Sequence, residues 1–582
     1  MYLRTTKRKN KDGSVVTYYH LAHNVRHPET NQSTPRIIHN FGRADELDRQ
    51  QLVRLCRSIA RVCELEVADP LQTVKPSPEE RAEDWPETLK LVQTLELGTL
   101  VVIEGLWERL GMGKALREVA QQSGCHAPYE RALLAMTANR LCEPSSKLGV
   151  WDRWLEKVYL PSCEELKLNQ MYEAMDLLQA HSERVEEAIF FQTASLLDLE
   201  VDLVFYDTTT VTFSVDTGDE DWEDNDPENC EDSPEDTPDT LRQYGRPKDG
   251  SWSVEMVVAL AITREGLPVR SWVFPGNTAD MATVSKVKRD LKGWKLGRAL
   301  FVGDGGLNSE DNRRELAKAC GTYLLATRLN SVKEVNQDVL SRPGRYRKIS
   351  DNLHVKEVVV GGDGVRRHRY LLCYNPSEAK RQQKRRKEIV QQLEQELARH
   401  RNMSATAQWA IDLLASPRTK RYLTITDKGH IRLDRKAIQQ AARTDGKWVI
   451  QTNDDTLTPE DAACAYKSLS VIERCFRTLK RTQLKLEPVH HRLSRRLEAH
   501  VKICVMALLI ERFAELACEQ PWSRIRSVLS RFQATEVHTQ SHLFFRRNEP
   551  SSALINLLKK LAIPLPDSIL SISPLDDETP NP

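Results

Sequence analysis

The architecture follows from two apolar runs, LVFYDTTTVTF (203–213) and ALFVGDGG (299–306). β-Branched, aromatic and aliphatic residues dominate both, which predicts buried strands. Asp207 lies inside the first run, and Asp304 ends the second. A carboxylate in an apolar strand must be paired, hydrogen-bonded or bound to a metal ion. Taken singly, Asp207 could instead start a turn and Asp304 could cap a helix.

If the two strands are neighbours in one sheet, their carboxylates lie side by side and repel each other. A divalent cation removes that repulsion. Mg²⁺ suits such a site because it takes few carboxylates and keeps water or phosphate oxygens as its other ligands. The two runs therefore predict a magnesium site.

Further strands and helices follow in a regular order. The predicted elements are two strands within 252–276, a helix at 280–292, a helix at 309–320 and a strand at 322–329. This order predicts an α/β fold built on a mixed sheet. Residues 330–454 break the order with strand-like pieces and a highly charged helix, and we interpret them as an insertion.

A third acid lies on the predicted helix AYKSLSVIERCFRTLKR (465–481). Tyr466, Glu473 and Lys480 are seven residues apart, nearly two helical turns, so they project from one face. Residues 466–502 hold ten Lys or Arg against three Glu. A solvated charged helix is the alternative interpretation, but a separate apolar face argues that this helix packs on a core. That face consists of Val471, Ile472, Phe476 and Leu479.

The charge is unevenly distributed along the chain. The formal net charge is +1, but residues 216–239 contain thirteen acids and no Lys or Arg, so the rest of the chain carries +14. A basic body is typical of a polyanion-binding protein. The acidic loop could be a disordered spacer, or it could mimic DNA and occupy a basic groove.

Nothing in the sequence predicts secretion, a membrane span or a disulfide framework. The N-terminus, MYLRTTKRKNKDG, has no apolar segment, and no run approaches the ~20 apolar residues of a membrane span. The twelve cysteines form no C-x-x-C pair. We therefore expect a cytoplasmic protein with reduced cysteines.

The chain is predicted to contain several segments, with strands in 1–43 and amphipathic helices in 88–198. The predicted segments are a β-rich arm and linker (1–87), a helical region (88–200), the first part of the core (201–329, with the acidic loop at 216–240), the insertion (330–454), the last helices of the core (455–520) and a C-terminal tail (521–582).

Several motifs resemble the DDE transposases of bacterial insertion sequences, of the IS-four-like superfamily. They are FYDTTTVTF around Asp207, GNTAD (276–280), FVGDGG around Asp304, Y-x6-E-x6-K at 466–480 and ANRLCEPSSKLGVWDRW (138–154). The resemblance covers most of the chain. It implies a ribonuclease-H-like core that a β-rich insertion splits before the last catalytic helix, preceded by a small β-rich N-terminal region and a helical region.

One position departs from the family pattern, which has an Arg three residues after the Tyr. This chain has Leu469 there. Arg474 or Arg477 could supply the missing guanidinium, although neither lies at the family position. The departure bears on the contacts to DNA more than on the metal site, since all three acids are present.

The resemblance implies an enzyme that cuts and joins DNA with two Mg²⁺ ions, for which Mn²⁺ could substitute. Asp207 would bridge both ions, Asp304 would bind one, and Glu473 would bind the other. Hydrolysis would expose a 3′-hydroxyl at the element end, which then attacks target DNA. The expected partners are double-stranded DNA, as terminal inverted repeats and as target, and a second copy of the chain on that DNA. The expected location is the bacterial nucleoid.

Further residues are expected to contact DNA. Tyr466 and Lys480 would hold terminal phosphates. The other candidates are Arg474, Arg477 and Arg481 on the basic helix, Lys248 in YGRPKDG and Trp448. A plain surface turn is an equal alternative for Lys248. Trp448 could stack on a flipped base, with a core tryptophan in a strand as the alternative. The N-terminal strands and the helices at 88–160 are candidates for reading DNA sequence.

Three other functions compete with this interpretation. A nuclease on the same fold would share the first chemical step. A domesticated DNA-binding protein would no longer cut, and Leu469 alone favours it. A sugar hydrolase with paired carboxylates is disfavoured by the basic helix around Glu473.

Overall fold

The computed structural model forms two compact units, Met1–Lys90 and Leu91–Pro582. Its described residues are 2–9, 15–26, 33–43, 89–199, 201–213, 241–245, 252–294, 296, 299–329, 332, 334–361, 367–400, 408–489, 491–539 and 541–574. The acidic loop and Lys248 lie outside them.

The first unit contains a three-stranded antiparallel sheet in the order β1-β2-β3. Its strands are β1 (Tyr2–Lys9), β2 (Val15–Arg26) and β3 (Ser33–Arg43). The β1–β2 register, from Tyr2 opposite Ala22 to Lys9 opposite Val15, is that of an antiparallel hairpin. The turn residues themselves are not described.

Within the described residues, the second unit contains sixteen α-helices of four residues or more. They are α1 (Gly98–Arg109), α2 (Met112–Gln122), α3 (Tyr129–Cys142), α4 (Leu168–Ala180), α5 (Ser182–Leu196), α6 (Asp280–Gly293), α7 (Glu310–Ala317), α8 (Pro376–Arg399), α9 (Gln408–Ala415), α10 (Pro417–Lys420), α11 (Arg435–Thr444), α12 (Pro459–Lys467), α13 (Ser470–Arg477), α14 (Ser494–Cys518), α15 (Trp522–Leu529) and α16 (Ser552–Lys560). None of the described helices is both long and apolar enough to span a bilayer.

The strands that follow the first sheet are also numbered in chain order. They are β4 (Lys90–Glu96), β5 (Leu203–Thr212), β6 (Gln243–Gly245), β7 (Ser253–Ile262), β8 (Pro268–Pro275), β9 (Leu300–Gly303), β10 (Tyr323–Thr327), β11 (Arg347–Ser350), β12 (Leu353–Val360), β13 (His368–Tyr374), β14 (Leu423–Ile425), β15 (Ile431–Leu433), β16 (Lys447–Thr452), β17 (Gln533–His538), β18 (His542–Arg547) and β19 (Ile569–Pro574).

A ten-stranded mixed sheet is the centre of the second unit. Its order is β11-β12-β13-β16-β10-β9-β5-β7-β6, and β8 also pairs with β7. β5 runs parallel to β9, and β9 runs parallel to β10. On its other side β5 pairs antiparallel with β7, which pairs antiparallel with β8. The predicted mixed α/β fold is confirmed.

Helices cover both faces of this sheet. Alternate residues of β5 point to opposite faces and therefore enter different cores. Phe205 and Val211 belong to the larger core, which includes α13, α14 and the helices before β5. Tyr206 belongs to the second core with α6 and α7, and its hydroxyl donates to Thr283 Oγ1 at 2.6 Å. Asp207 is therefore on the face that α13 and α14 cover.

Part of the predicted insertion continues the central sheet. β16 pairs antiparallel with β10, with Leu324 opposite Thr452, and β13, β12 and β11 follow at the edge. The charged helix α8 and its neighbours α9 to α11 pack separately around Ile389, Leu393 and Tyr422. The predicted boundaries of the insertion stay a prediction.

Residues 522–574 contain helices and strands where the sequence suggested a plain tail. They supply α15, α16 and three strands of a four-stranded sheet, in the order β19-β18-β17-β4. The Gln93 amide of β4 donates to Glu536 of β17 at 2.7 Å. The partner strand lies more than 400 residues earlier, so the local pattern could not reveal this sheet.

Candidate active site

Asp207 and Asp304 lie side by side at neighbouring strand positions. In the parallel β5–β9 pair, Tyr206 is opposite Gly303, and each acid is the next residue. Asp207 is half-buried and Asp304 is exposed. Both carboxylates also bind nearby backbone: Asp207 accepts from Thr208 N at 2.8 Å, and Asp304 accepts from Gly305 N at 2.6 Å.

Glu473 is carried on α13, which packs over the same face of the sheet. The apolar side of α13 supplies Ile472, Cys475 and Phe476 to the core that contains Phe205. Glu473 and Arg474 lie on the exposed side of the helix. Amphipathic spacing therefore leaves the acid at the open edge of the packed interface.

The tyrosine of the Y-x6-E-x6-K motif reports on all three acids. Burial raises the pKa of the Tyr466 hydroxyl, and the charges of Asp304, Asp207 and Glu473 raise it further, in that order. These carboxylates are therefore close enough to act on one hydroxyl. The proton of Tyr466 is held tightly, so the side chain is a hydrogen-bond donor at neutral pH.

The helix predicted over 465–481 is interrupted. α12 ends at Lys467, α13 begins at Ser470, and a π-type turn covers 478–482. Bonds of i→i+3 type join the pieces, such as Leu469 N to Tyr466 O at 3.0 Å. The seven-residue spacing therefore spans two helices and a junction.

The described residues contain no group of three His, Cys, Asp or Glu side chains close enough to enclose a metal ion. The three acids act on Tyr466 without forming a closed set of ligands. The donors are nevertheless all carboxylate oxygens, which is the chemistry that Mg²⁺ and Mn²⁺ prefer.

Lys480 contacts the acid-bearing strand. Its ammonium donates to the carbonyl of Thr210 and lies 3.4 Å from Glu487 Oε1. The Glu487 carboxylate also accepts from Thr212 N at 3.1 Å. Lys480 thus links β5 to the segment that follows α13.

The other residues predicted to contact DNA differ in their exposure. Arg474 and Arg477 are exposed on α13, while the side chain of Arg481 lies outside the described part of the chain. Trp448 lies in β16 opposite Cys373 and packs against the larger core. Its indole N–H is buried and has no hydrogen-bond partner among the described residues.

Asp280 belongs to the site, although the sequence analysis did not nominate it. Its Oδ1 accepts a hydrogen bond from Thr208 Oγ1 at 2.6 Å, and Thr208 directly follows Asp207 in β5. A Cβ at Gly306, two residues after Asp304, would lie 3.7 Å from Asp280 Oδ2. Asp280 therefore bridges the ends of both acid-bearing strands. The GNTAD motif contained it, and that was the available signal.

Leu469 occupies a core position. It is 9% exposed and packs in the larger core with Ile472. An arginine there would have to leave that core.

Comparison with known proteins assigns the chain to a family. Residues 230–510 match the family described as Transposase DDE domain, a range that includes Asp304 and Glu473 but begins after Asp207. Residues 3–70 match the family described as IS1634 family transposase, N-terminal domain. A search of curated proteins found no match.

Among solved structures, the chain is similar to one in the cryo-EM structure of a piggyBac transposase synaptic complex with hairpin DNA. The similarity covers 76% of this chain and 82% of that chain, at 7% identity and a TM-score of 0.33. Because residues 3–70 match the N-terminal domain and residues 230–510 match the DDE domain, this chain belongs to the DDE transposases of insertion sequences.

Proposed function

We propose that this transposase cuts DNA at the ends of its element and joins the exposed 3′ ends to target DNA, with Asp207, Asp304 and Glu473 as the catalytic carboxylates. The carrying observation is the adjacency of Asp207 and Asp304, each of which directly follows one residue of the Tyr206–Gly303 pair in β5 and β9. Tyr466 supports the same assignment, because the charges of all three acids raise the pKa of its hydroxyl.

The finer fold is part of the proposal. Strands β8, β7, β5, β9 and β10, with α6, α7 and α13, would form the ribonuclease-H-like core that the motifs imply. The support is the order of pairing around β5, which continues through antiparallel pairs to β7 and β8 on one side and through parallel pairs to β9 and β10 on the other. That arrangement brings acids from separate strands to one edge.

Divalent metal ions are the normal cofactors of DDE transposase domains, and the residues here fit them. Three carboxylates act on one hydroxyl, and a cation would relieve their mutual repulsion. Asp207, Asp304 and Glu473 would hold two Mg²⁺ ions, with Mn²⁺ as a substitute. When bound, such ions neutralise phosphate charge and lower the pKa of an attacking water or 3′-hydroxyl.

The chain's own side chains bind and orient the DNA. Tyr466 keeps its proton, so it donates a hydrogen bond to a phosphate oxygen and does not act as a nucleophile. Arg474 and Arg477 offer exposed guanidinium groups to the DNA backbone. Lys480 holds β5 through one hydrogen bond to Thr210 O.

Single alanine variants of the three acids test the assignment. We expect Asp207→Ala, Asp304→Ala and Glu473→Ala each to lower Mg²⁺-dependent cleavage of the element ends by about 10²–10³-fold or more, since each removes charge stabilisation at the reacting phosphate. Gel-based cleavage of labelled terminal repeats measures this. Asp311→Ala, on the exposed start of α7, is the matched control.

Retention of wild-type cleavage by any one of the three variants would remove that acid from the site. Precut ends separate transposition from hydrolysis alone: a strand-transfer product is expected with wild type and is absent in all three variants. Sedimentation with and without terminal repeats tests the proposed pairing of two copies on DNA.

A further inference from the structure

A cavity of about 220 Å³, lined in part by charged side chains, lies between the segment after α3 and the segment that joins α13 to α14. Its lining includes Arg140, Ser145, Lys147, Lys485, Glu487 and His500. The cations in this lining outnumber the acids. Glu487 is the one carboxylate among the described lining residues.

Arg140 is a buried cation that no described carboxylate neutralises. It is 5% exposed, and its guanidinium donates to Lys485 O at 3.2 Å and to the carbonyl of Ser145. Its Nε is buried and has no partner among the described residues. Carbonyl contacts orient a guanidinium but leave its charge uncompensated, which is costly in a protein interior.

Lys147 is a second such cation and is 3% exposed. Its Nζ lies 3.2 Å from His500 Nδ1, while His500 Nε2 lies 3.2 Å from Leu486 O. A carbonyl can only accept, so Nε2 carries the proton and Nδ1 accepts from Lys147. His500 is therefore neutral and does not balance the ammonium.

The Glu487 carboxylate contacts Thr212 and Lys480. Its Oε1 accepts from Thr212 N at 3.1 Å and lies 3.4 Å from the ammonium of Lys480. These contacts also fix where the cavity lies. Thr212 is five residues beyond Asp207 on β5, roughly 16 Å at the usual rise of a strand. At ~3.4 Å per nucleotide of duplex DNA, that distance corresponds to about five nucleotides.

We propose that this cavity is a phosphate-binding site, in which Arg140 and Lys147 hold one phosphate group of the DNA whose strand the acids cut. An anion of that class would neutralise the Arg140 guanidinium, hold Lys147 in its charged form and accept hydrogen bonds from both donors. The DNA source rests on the proposed function. The preference for phosphate follows from the cavity itself.

Inorganic phosphate, added to the metal-free full chain, tests the site without DNA. We expect phosphate to raise the melting temperature more than chloride does at equal ionic strength. Lys147→Met and Arg140→Met should each weaken phosphate affinity at least tenfold by calorimetry. Lys157→Met is the matched control because Lys157 is exposed and lies in the same region. Without phosphate, Lys147→Met should melt no lower than wild type, a result that a merely structural lysine would not give.

DNA probes then identify the source of the phosphate. DNA binding is compared between wild type and Lys147→Met with two sets of terminal repeats. One set carries 5′-phosphate or 5′-hydroxyl ends, and the other carries single methylphosphonate links near the cleavage site. One of these replacements should weaken wild-type binding while leaving the variant unchanged. Unchanged phosphate affinity in both variants would overturn the site, and phosphate binding without any effect on DNA would overturn its assignment to DNA.

The outcome is distinguishable from failure of the proposed function. Glu473→Ala should keep phosphate affinity while losing cleavage. Cleavage that survives in the acid variants would refute the catalytic assignment and leave the phosphate measurements intact.

Discussion

Lys147 makes the stability of the protein depend on pH. Burial lowers its pKa from the ordinary 10.5 to about 7, and the charge of Arg140 adds to this effect. Between these pH values the unfolded chain holds a proton that the folded chain lacks, so stability rises with pH across the window. The groups facing Lys147 are Arg140, Lys485, Glu487, His491, His500 and Cys504.

We expect Lys147→Met to remove this rise. Urea unfolding at pH 7 and pH 9.5 should show wild type gaining up to about 3 kcal/mol that the variant does not gain. Lys157→Met should keep the wild-type difference. An equal gain in wild type and Lys147→Met would show that this lysine is not the titrating group.

Asp280 is a positioning residue for the acid-bearing strands. Asp280→Asn keeps the shape but weakens the bond from Thr208, so Asp207 is held less firmly. We expect kcat for end cleavage to fall about 10–100-fold, as for other groups that orient ligands, with KM for DNA unchanged. Steady-state kinetics measure kcat and KM separately. A rise in KM alone would instead place Asp280 in DNA binding.

The sequence reveals some of these residues and conceals others for physical reasons. Asp207 and Asp304 could be predicted because an acid inside an apolar strand is conspicuous. Lys147 lies in a polar stretch, PSSKLG, that looks solvated. Only the tertiary fold buries it, against His500 more than 350 residues away.

Gly266 couples the β7–β8 turn to α13, the helix that carries Glu473. It has a φ of +86°, and a Cβ there would meet Val471 Cγ1 of α13 at 2.8 Å. We expect Gly266→Ala to lower the free energy of unfolding by about 1–3 kcal/mol, because a side chain strains this conformation. Chemical denaturation checks the value, and the shift of α13 should also slow cleavage.

Gly293 provides the control for that substitution. It ends α6 with open space where a Cβ would lie. Gly293→Ala should therefore be neutral or stabilise the protein by up to about 1 kcal/mol. If both variants behaved alike, backbone conformation at Gly266 would not explain the loss.

The elements themselves were largely predictable where periodicity is local. The strands at β5, β7, β8, β9 and β10 and the helices α6 and α7 lie where the sequence placed them. The break between α12 and α13 was not predictable, since Ser468 and Leu469 carry no breaker signal. The pairing of β16 with β10 was also hidden, because apolar runs do not specify their neighbours.

The acidic loop should control how the whole molecule binds polyanions. Deleting 216–239 removes thirteen acids and leaves a formal charge of +14. We expect tighter nonspecific DNA binding and a steeper dependence of affinity on salt, since more phosphate contacts become favourable. Fluorescence anisotropy at several salt concentrations measures both. A scrambled acidic loop should restore wild-type binding, and a neutral linker of equal length should not.

The long segment between β10 and β16 separates the synthesis of the two aspartates from the synthesis of Glu473. β5 and β9, with their two aspartates, leave the ribosome early and can pair at once. α13 emerges only after this segment has been made. Domains generally fold as they are made, from the N-terminus. A product of premature termination before α13 would carry Asp207 and Asp304 without Glu473, so incomplete translation would yield chains that lack one of the three proposed catalytic carboxylates.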